Sequence, residues 1–254
     1  MRRLRSALRL LAGGIAAITT IACSKADAAG GDKETQPAAS GAASAVAPST
    51  AGLLAAVTPP ADSLSDSLLI AMADRGRLMG KDSGAVWVVM ISDFQCPYCK
   101  TWHDDALASL TRDYVNTGRV RMAYLNLPLQ QHRYARAESE AALCAGAQDK
   151  FWPYAKALFD RQAEIEKVPL IQPVLDEIAR GLSMDMGRFA SCQKREAIRA
   201  LVESDIQQAT RAGVRSTPSF LVGDFLVEGA VPYADFRRAV DTALVMARNA
   251  KGTR

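Results

Sequence analysis

Two cysteines separated by two residues stand where a buried strand gives way to a helix, and this placement constrains the fold more than any other feature. Residues 85–91 are a continuous apolar run rich in β-branched side chains, which predicts a strand buried on both faces. Cys96 and Cys99 follow a short turn, and Pro97 suits the first turn of a helix. A second strand is predicted over residues 120–127. The segment is therefore a strand–helix–strand unit with the cysteine pair at the strand-to-helix turn.

The rest of the chain completes a recognisable order of elements. Helical spacing broken by Pro and Gly signals predicts helices at residues 133–149, 151–163, 170–180, 185–193 and 194–212. Two short strands at residues 219–222 and 225–228 flank a Gly-Asp hairpin signal, and an amphipathic helix follows at 233–248. The order β-α-β, helical block, β-β-α predicts an α/β, thioredoxin-like fold with a helical insertion at about residues 133–212 between its two halves.

The first 22 residues have the pattern of a secretory signal peptide. A basic start precedes an apolar run at residues 10–21, which is too short for a comfortable membrane span. A buried N-terminal helix is the alternative. Residues 19–23 resemble a lipobox, which would lipidate Cys23, whereas residues 26–28 (Ala-Asp-Ala) suit ordinary signal peptidase. We expect export to a periplasmic or extracytoplasmic location, with a lipid anchor through Cys23 as the membrane attachment.

The segment after the signal peptide predicts a flexible linker. Residues 23–62 are rich in Ala, Gly, Ser, Thr and Pro, and such a composition cannot bury enough apolar surface to offset its ordering entropy. The folded domain is therefore expected at residues 63–254. The net charge of +4 comes from arginines in the signal peptide, so we expect no nucleic acid partner for the mature protein. No dimerisation domain is recognisable before the fold, and we expect a monomer.

The cysteine pair suits thiol–disulfide exchange. A cysteine attacks a disulfide only as the thiolate, and the positive end of a helix stabilises that anion. Cys96 stands at such a helix start, and Cys99, one turn later, can resolve a mixed disulfide on Cys96. A zinc site with His103 as a third ligand is one alternative, although it lacks a fourth. A purely structural disulfide is another, but it would close a very short loop and stabilise little.

Here the sequence resembles a known family. Residues 92–99 (Ser-Asp-Phe-Gln-Cys-Pro-Tyr-Cys) are similar to the active-site segment of the DsbA-like family of bacterial thiol:disulfide interchange proteins. Further segments that match in family order are Leu127-Pro128 with His132, residues 141–145, residues 150–152 and residues 213–220. The similarity runs from about residue 75 to residue 245. It implies a thioredoxin fold, no cofactor and no metal, unfolded or cysteine-containing exported proteins as substrates, and a membrane redox partner.

The resemblance also assigns the substrate surface. Pro97 and Tyr98, between the two catalytic cysteines, would face the substrate. Pro218 would be a cis-proline opposite the pair, which leaves the backbone of Thr217 free to pair with an extended substrate chain. Without the resemblance, Thr-Pro reads as an ordinary trans turn before a strand.

This sequence departs from the family pattern at two positions. Strongly oxidising members carry His where this chain has Tyr98; a tyrosine cannot stabilise the thiolate as a cation does, so we expect a weaker oxidant. Thioredoxin-like proteins often hold a buried acid six residues before the first cysteine, and Met90 stands there. Asp93 is instead a candidate proton relay to Cys99, with capping of the turn as its alternative role.

Two further cysteines, Cys144 and Cys192, fall in the predicted insertion. We expect them to form a structural disulfide, because free thiols beside an exported oxidant would be a liability. Two buried free thiols are the alternative.

The sequence supports two functional hypotheses. The first is an exported thiol:disulfide oxidoreductase that exchanges disulfides with protein substrates through Cys96 and Cys99. The second is a non-catalytic thioredoxin-like chaperone or metal-delivery module that uses the same groove without redox turnover. The sequence leaves the direction of electron flow open.

Overall fold

The protein is described from a computed structural model that covers residues 2–3 and 64–252. Every described element belongs to one unit of the chain. The proposed signal peptide (apart from Arg2–Arg3), the lipidation site Cys23 and the linker lie outside the described residues.

The strands of the domain are short, and most of the rest is helical. The strands are β1 (Arg2–Arg3), β2 (Leu78–Met79), β3 (Val86–Ser92), β4 (Val120–Asn126), β5 (Ser219–Val222) and β6 (Phe225–Glu228). The α-helices are α1 (Asp66–Gly76), α2 (Pro97–Trp102), α3 (Ala108–Leu110), α4 (Ala135–Gly146), α5 (Phe151–Asp160), α6 (Gln162–Ile165), α7 (Gln172–Gly181), α8 (Met186–Gln193), α9 (Glu196–Arg211) and α10 (Tyr233–Gly252). Among the described residues, none of these helices has the length and apolar character needed to cross a bilayer.

The sheet has the order β1-β6-β5-β3-β4-β2. Strands β3 and β4 pair in parallel, joined by a crossover that starts with α2, and β5 pairs antiparallel with both β3 and β6. The helical insertion, α4 to α9, lies in sequence between β4 and β5. This order confirms the predicted thioredoxin-like fold. It also places the C-terminal end of β3 next to the start of β5. The cysteine pair lies at this end of the two strands.

An aromatic cluster holds the helix of the cysteine pair against the sheet. The Trp102 ring on α2 packs 4.3 Å from that of Phe220 on β5 and 5.1 Å from that of Phe236 on α10, measured between centroids. All three side chains are essentially buried. Each such ring removes a large apolar area from water, so the cluster fixes the position of α2 relative to both neighbours.

Most predicted boundaries agree with the structure, and the differences have local causes. The helix predicted at residues 151–163 divides at Arg161 into α5 and α6. The helix after the cysteine pair contains two π-helical stretches, His103–Leu107 and Thr111–Val115, which side-chain spacing alone does not reveal. Strand β2 has only two residues, too few for an alternating pattern.

Strand β1 belongs to the segment that we expect to be removed as a signal peptide. It pairs only with β6, through Arg2 opposite Leu226 and Arg3 opposite Phe225. The other five strands pair with one another without it. Cleavage would therefore leave β6 as the edge strand and the thioredoxin-like sheet otherwise complete.

A disulfide joins α4 to α8 inside the insertion. The sulfurs of Cys144 and Cys192 are bonded, and the two cysteines lie 48 residues apart in sequence. Both side chains are buried. The crosslink restricts the unfolded chain, and a loop of this length stabilises the native state by up to about 4 kcal/mol in the chain-entropy model.

We predict that the double substitution Cys144→Ala and Cys192→Ala lowers the free energy of unfolding by up to about 4 kcal/mol. Urea titration followed by circular dichroism measures this change. The matched control is Cys96→Ala with Cys99→Ala, which also removes two cysteines, both free in the structure, and therefore no crosslink. An equal or smaller loss in the first variant than in the control would contradict the prediction.

Candidate active site

The cysteine pair occupies the first turn of α2. Cys96 is the residue immediately before the helix, with φ −77° and ψ 120°, and Pro97 is the first helical residue. The amide of Cys99 donates to the carbonyl of Cys96 at 3.1 Å, which closes the turn and brings the two side chains to the same end of the helix. Both cysteines are free thiols. The N-terminal end of a helix offers unpaired N–H groups, so a sulfur anion at Cys96 meets a positive local potential.

The two thiols have opposite acidity. A hydrogen bond from Cys99 lowers the pKa of Cys96 to about 6; the side chain of Thr217 and the main-chain N–H groups of Cys99 and Tyr98 add to this effect, against burial. Burial raises the pKa of Cys99 well above its ordinary value, and the contact with Cys96 raises it further. At neutral pH, Cys96 is therefore mostly in the thiolate form that can attack a disulfide, and Cys99 holds its proton.

The loop before β5 faces the pair from the other side. The peptide bond between Thr217 and Pro218 is cis, and the Cys96 thiol lies 3.4 Å from the carbonyl oxygen of Thr217 as a hydrogen-bond donor. The structure thus brings together Cys96, Cys99, Thr217 and Pro218, residues that the sequence places about 120 positions apart.

Access to the pair is narrow. Cys96 is 4% exposed and Cys99 2% exposed, so the expected outer cysteine is only slightly more accessible than the inner one. Tyr98, between them, is 68% exposed. Two nearly buried cysteines are thus separated in sequence by an exposed aromatic residue.

The Asp93 side chain holds the turn that precedes the pair. One carboxylate oxygen accepts from the amide of Gln95 at 2.8 Å. The other accepts from the amide of Leu129 at 2.8 Å and lies 2.7 Å from Nδ1 of His132. No hydrogen bond joins this carboxylate to Cys99 within the part of the chain that the structure describes. These contacts favour the capping role for Asp93 over the proton relay, and they give His132 a partner that the sequence did not reveal.

Two glutamines, one in the turn and one in the insertion, join the insertion to the same turn. The Gln95 side-chain oxygen accepts from the amide of Tyr134 at 2.6 Å. The amide group of Gln162, on α6, donates to the carbonyl oxygens of Phe94 and Cys96 at 2.7 and 3.2 Å. Sequence reasoning missed Gln162. Its spacing from Leu158 and Ile165, both fully buried, places it on the inner face of α5 and α6 and could have marked it.

The insertion buries an acid within range of the Asp93 charge, at a position that the sequence analysis did not consider. Glu138 on α4 is fully buried, and neither of its carboxyl oxygens has a hydrogen-bond partner among the described residues. Burial raises the pKa of Glu138 to about 8, and the charges of Asp93 and Glu166 add to the increase. The carboxyl group is therefore mostly neutral at pH 7.

The zinc alternative finds no support in the geometry. His103 on the helix after Cys99 is buried against Phe159, with ring centroids 4.9 Å apart, and its Nδ1 lies 3.3 Å from a carboxylate oxygen of Asp104. Within residues 2–3 and 64–252, no cluster of three or more His, Cys, Asp or Glu side chains is arranged to hold a metal ion.

Comparison with known proteins agrees with this geometry. Residues 73–242 match a family model described as Thioredoxin. Disulfide bond formation protein D of Bacillus subtilis is 23% identical over 170 residues, which cover 66% of this chain and 76% of that protein. The crystal structure of alpha-DsbA1 from Wolbachia pipientis superposes with a TM-score of 0.62 at 18% identity, covering 74% of this chain and 99% of that one. At this identity the superposition shows the fold.

A second kind of relative is much longer than the segment it shares. Na(+)/H(+) antiporter NhaA 1 of Salinispora arenicola is 30% identical over 208 residues, which cover 77% of this chain and 30% of that protein. The chain therefore spans less than a third of that relative, and the activity in its name does not transfer to this chain.

We predict that the Cys99→Ala substitution moves the ionisation midpoint of Cys96 upward from about 6. The expected increase is about one to two pH units, because a hydrogen bond to a charged group is worth ~1.5–3 kcal/mol. The rate of alkylation by iodoacetamide, measured from pH 4 to 10, gives the midpoint. Cys99→Ser is the matched control, since its hydroxyl still donates, and its midpoint should stay closer to the wild type. Equal midpoints for the wild type and the alanine variant would exclude the assigned cause.

We predict that Glu138→Gln stabilises the protein at pH 7 by up to about 3 kcal/mol, because the folded state no longer has to retain a proton that the unfolded chain releases near pH 4.3. A raised folded-state pKa means that wild-type stability is full below about pH 4.3 and falls as the pH rises to about 8. Urea unfolding at pH 5, 7 and 8 should show this decline for the wild type and a flatter profile for the variant. Glu228→Gln, at an exposed position, serves as the control. An unchanged slope in Glu138→Gln would refute the raised pKa.

Proposed function

The chain belongs to the thioredoxin family, and on that premise we propose that it is an exported thiol:disulfide oxidoreductase that exchanges disulfides with protein substrates through Cys96 and Cys99. The observation that carries this proposal is the acidic Cys96 thiol at the start of α2, beside the Thr217 carbonyl and the cis-Pro218. Relationship to proteins named for disulfide bond formation supports the same chemistry.

The proposed exchange uses the unequal acidity of the two thiols. The Cys96 thiolate attacks a disulfide in the substrate; a bond forms between Cys96 and one substrate sulfur, and the other substrate sulfur leaves with the electron pair. Cys99 then loses its proton and attacks Cys96, which releases the first substrate sulfur as a thiolate. The enzyme is oxidised to the Cys96–Cys99 disulfide and the substrate is reduced by two electrons. The reverse sequence introduces a disulfide into the substrate.

The substrate is proposed to be an extended segment of a cysteine-containing exported protein. The cis peptide before Pro218 presents the Thr217 main chain beside Cys96, in the manner of strand addition. Tyr98, 68% exposed, would contact the same segment. We further propose a periplasmic or extracytoplasmic location, attachment through lipidated Cys23, a monomeric state and a membrane redox partner that restores the working form of the pair.

Trapping tests the proposal against the non-catalytic alternative. In Cys99→Ser, the mixed disulfide on Cys96 cannot be resolved, so we expect covalent adducts with a cysteine-containing peptide disulfide that accumulate to near one per chain and are released by dithiothreitol. Mass spectrometry under non-reducing conditions detects them. Cys96→Ser is the matched control and should form no such adduct. A binding module would instead bind the peptide equally well in both variants and trap it in neither, which would refute the oxidoreductase proposal.

A further inference from the structure

The turn that carries Cys96 is held by the loop between β4 and α4 and by the helical insertion. Asp93 accepts from Leu129 and lies against His132, and Gln95 accepts from Tyr134. The contacts of Gln162 differ from these, because they go to the main chain on both sides of the turn rather than to a side chain.

Gln162 contacts two carbonyl oxygens that define where α2 begins. Its Nε2 donates to Phe94 at 2.7 Å and to Cys96 at 3.2 Å. The Cys96 carbonyl also accepts from the amides of Cys99 and Lys100 at 3.1 and 3.2 Å, which are the first hydrogen bonds of the helix. Within the described part of the chain, the Phe94 carbonyl has no other hydrogen-bond donor among the turn and loop contacts. The Gln162 amide therefore holds the Phe94–Gln95 peptide, which lies in the turn, and the Cys96–Pro97 peptide, at which α2 begins.

The Cys96–Pro97 peptide sets the direction of the first turn of α2, and the main-chain groups of that turn face the Cys96 sulfur. The main-chain N–H groups of Tyr98 and Cys99 help to lower the pKa of Cys96. Their effect depends on direction, since a hydrogen bond weakens steeply as its angle departs from linear. A rotation of the Cys96 carbonyl would turn the start of α2 away from the sulfur.

The short helix that carries Gln162 is packed into the core. The Gln162 side chain is 6% exposed, and Ile165 on the same short helix is fully buried. The preceding residue, Arg161, pairs with Glu164 at 2.5 Å and with Glu177 on α7 at 2.8 Å. The segment that carries Gln162 therefore contacts both α6 and α7 of the insertion. From there the Gln162 side chain extends toward the active-site turn.

We propose that Gln162 is a positioning residue, whose amide holds the start of α2 in the orientation that stabilises the Cys96 thiolate. The inference rests on the proposed function, because it concerns the reactivity of the same cysteine. It makes the insertion a determinant of the chemistry: helix α6 sets how acidic the nucleophile is, although it contributes no reacting atom.

A purely structural role would have a different signature. Loss of Gln162 leaves the buried Phe94 carbonyl without a donor, which lowers stability whether or not the sulfur is affected. Stability alone therefore does not test the proposal, whereas the ionisation of Cys96 does.

The test compares Gln162→Met and Gln162→Asn with the wild type in the fully reduced protein. Methionine keeps the length of the side chain and removes the donor; asparagine keeps the amide but falls short of the carbonyls. We expect the alkylation midpoint of Cys96 to rise by about half to one pH unit in Gln162→Met, which is three- to tenfold less thiolate below the midpoint, and by a similar amount in Gln162→Asn. Iodoacetamide rates from pH 4 to 10 give the midpoints, and circular dichroism verifies that each variant is folded.

Tyr154→Phe provides the matched control. It removes another buried hydrogen bond of the insertion, from the Tyr154 hydroxyl to the Leu175 carbonyl at 3.0 Å, and should lower stability without moving the midpoint. Destabilised Gln162 variants whose midpoints stay within about 0.2 pH unit of the wild type would overturn the inference and leave a structural role. A wild-type midpoint near the ordinary value of about 8.5 would instead refute the proposed function, so the two failures are distinguishable.

Discussion

The active site is organised around the stabilisation of a Cys96 sulfur anion, first by the Cys99 side chain and then by main-chain N–H groups at the start of α2. Those groups act only if the helix begins at Pro97 and points at Cys96. Strand β3 delivers the chain to that point, the aromatic cluster around Trp102 fixes the helix against the sheet, and the loop before β5 brings Thr217 opposite the sulfur. Each element of the thioredoxin-like core thus has a part in placing one atom.

The helical insertion and the loop that leads into it from β4 supply hydrogen-bond partners to the active-site turn. The turn between β3 and α2 has no strand partner of its own, and its polar groups find theirs in Leu129, Tyr134 and Gln162. Buried main-chain groups need such partners, because an unpaired one costs about as much as a lost hydrogen bond. The same insertion also brings Glu138 into the core without a hydrogen-bond partner among the described residues, which lowers stability at neutral pH. The insertion therefore supports the active-site turn while carrying an unfavourable group nearby.

Much of this arrangement could be predicted from the sequence, and the limits have a physical explanation. Apolar runs and turn signals predicted the first and last residues of β5 and β6 correctly, because a two-residue hairpin leaves little freedom in register. The cysteine pair was evident because its chemistry depends on local spacing. Gln162 and Glu138 were not, because their significance depends on partners far along the chain: Gln162 lies 66 residues from Cys96. A polar residue on the apolar face of a helix, as Glu138 is between the buried Ala135 and Ala142, was the available signal.

The shallow exposure of Cys96 has a consequence for selectivity. Cys96 is 4% exposed, and the residue two positions on, Tyr98, is 68% exposed, so a disulfide set in the rigid convex surface of a native protein would have little room to reach the Cys96 sulfur. A chain that still lacks tertiary structure can bring one cysteine past Tyr98 at little cost in free energy, since no packed neighbouring segments have to move with it. Under the proposed function, the site would therefore select by the mobility of the incoming segment rather than by its sequence, and turnover would fall on proteins that have not finished folding.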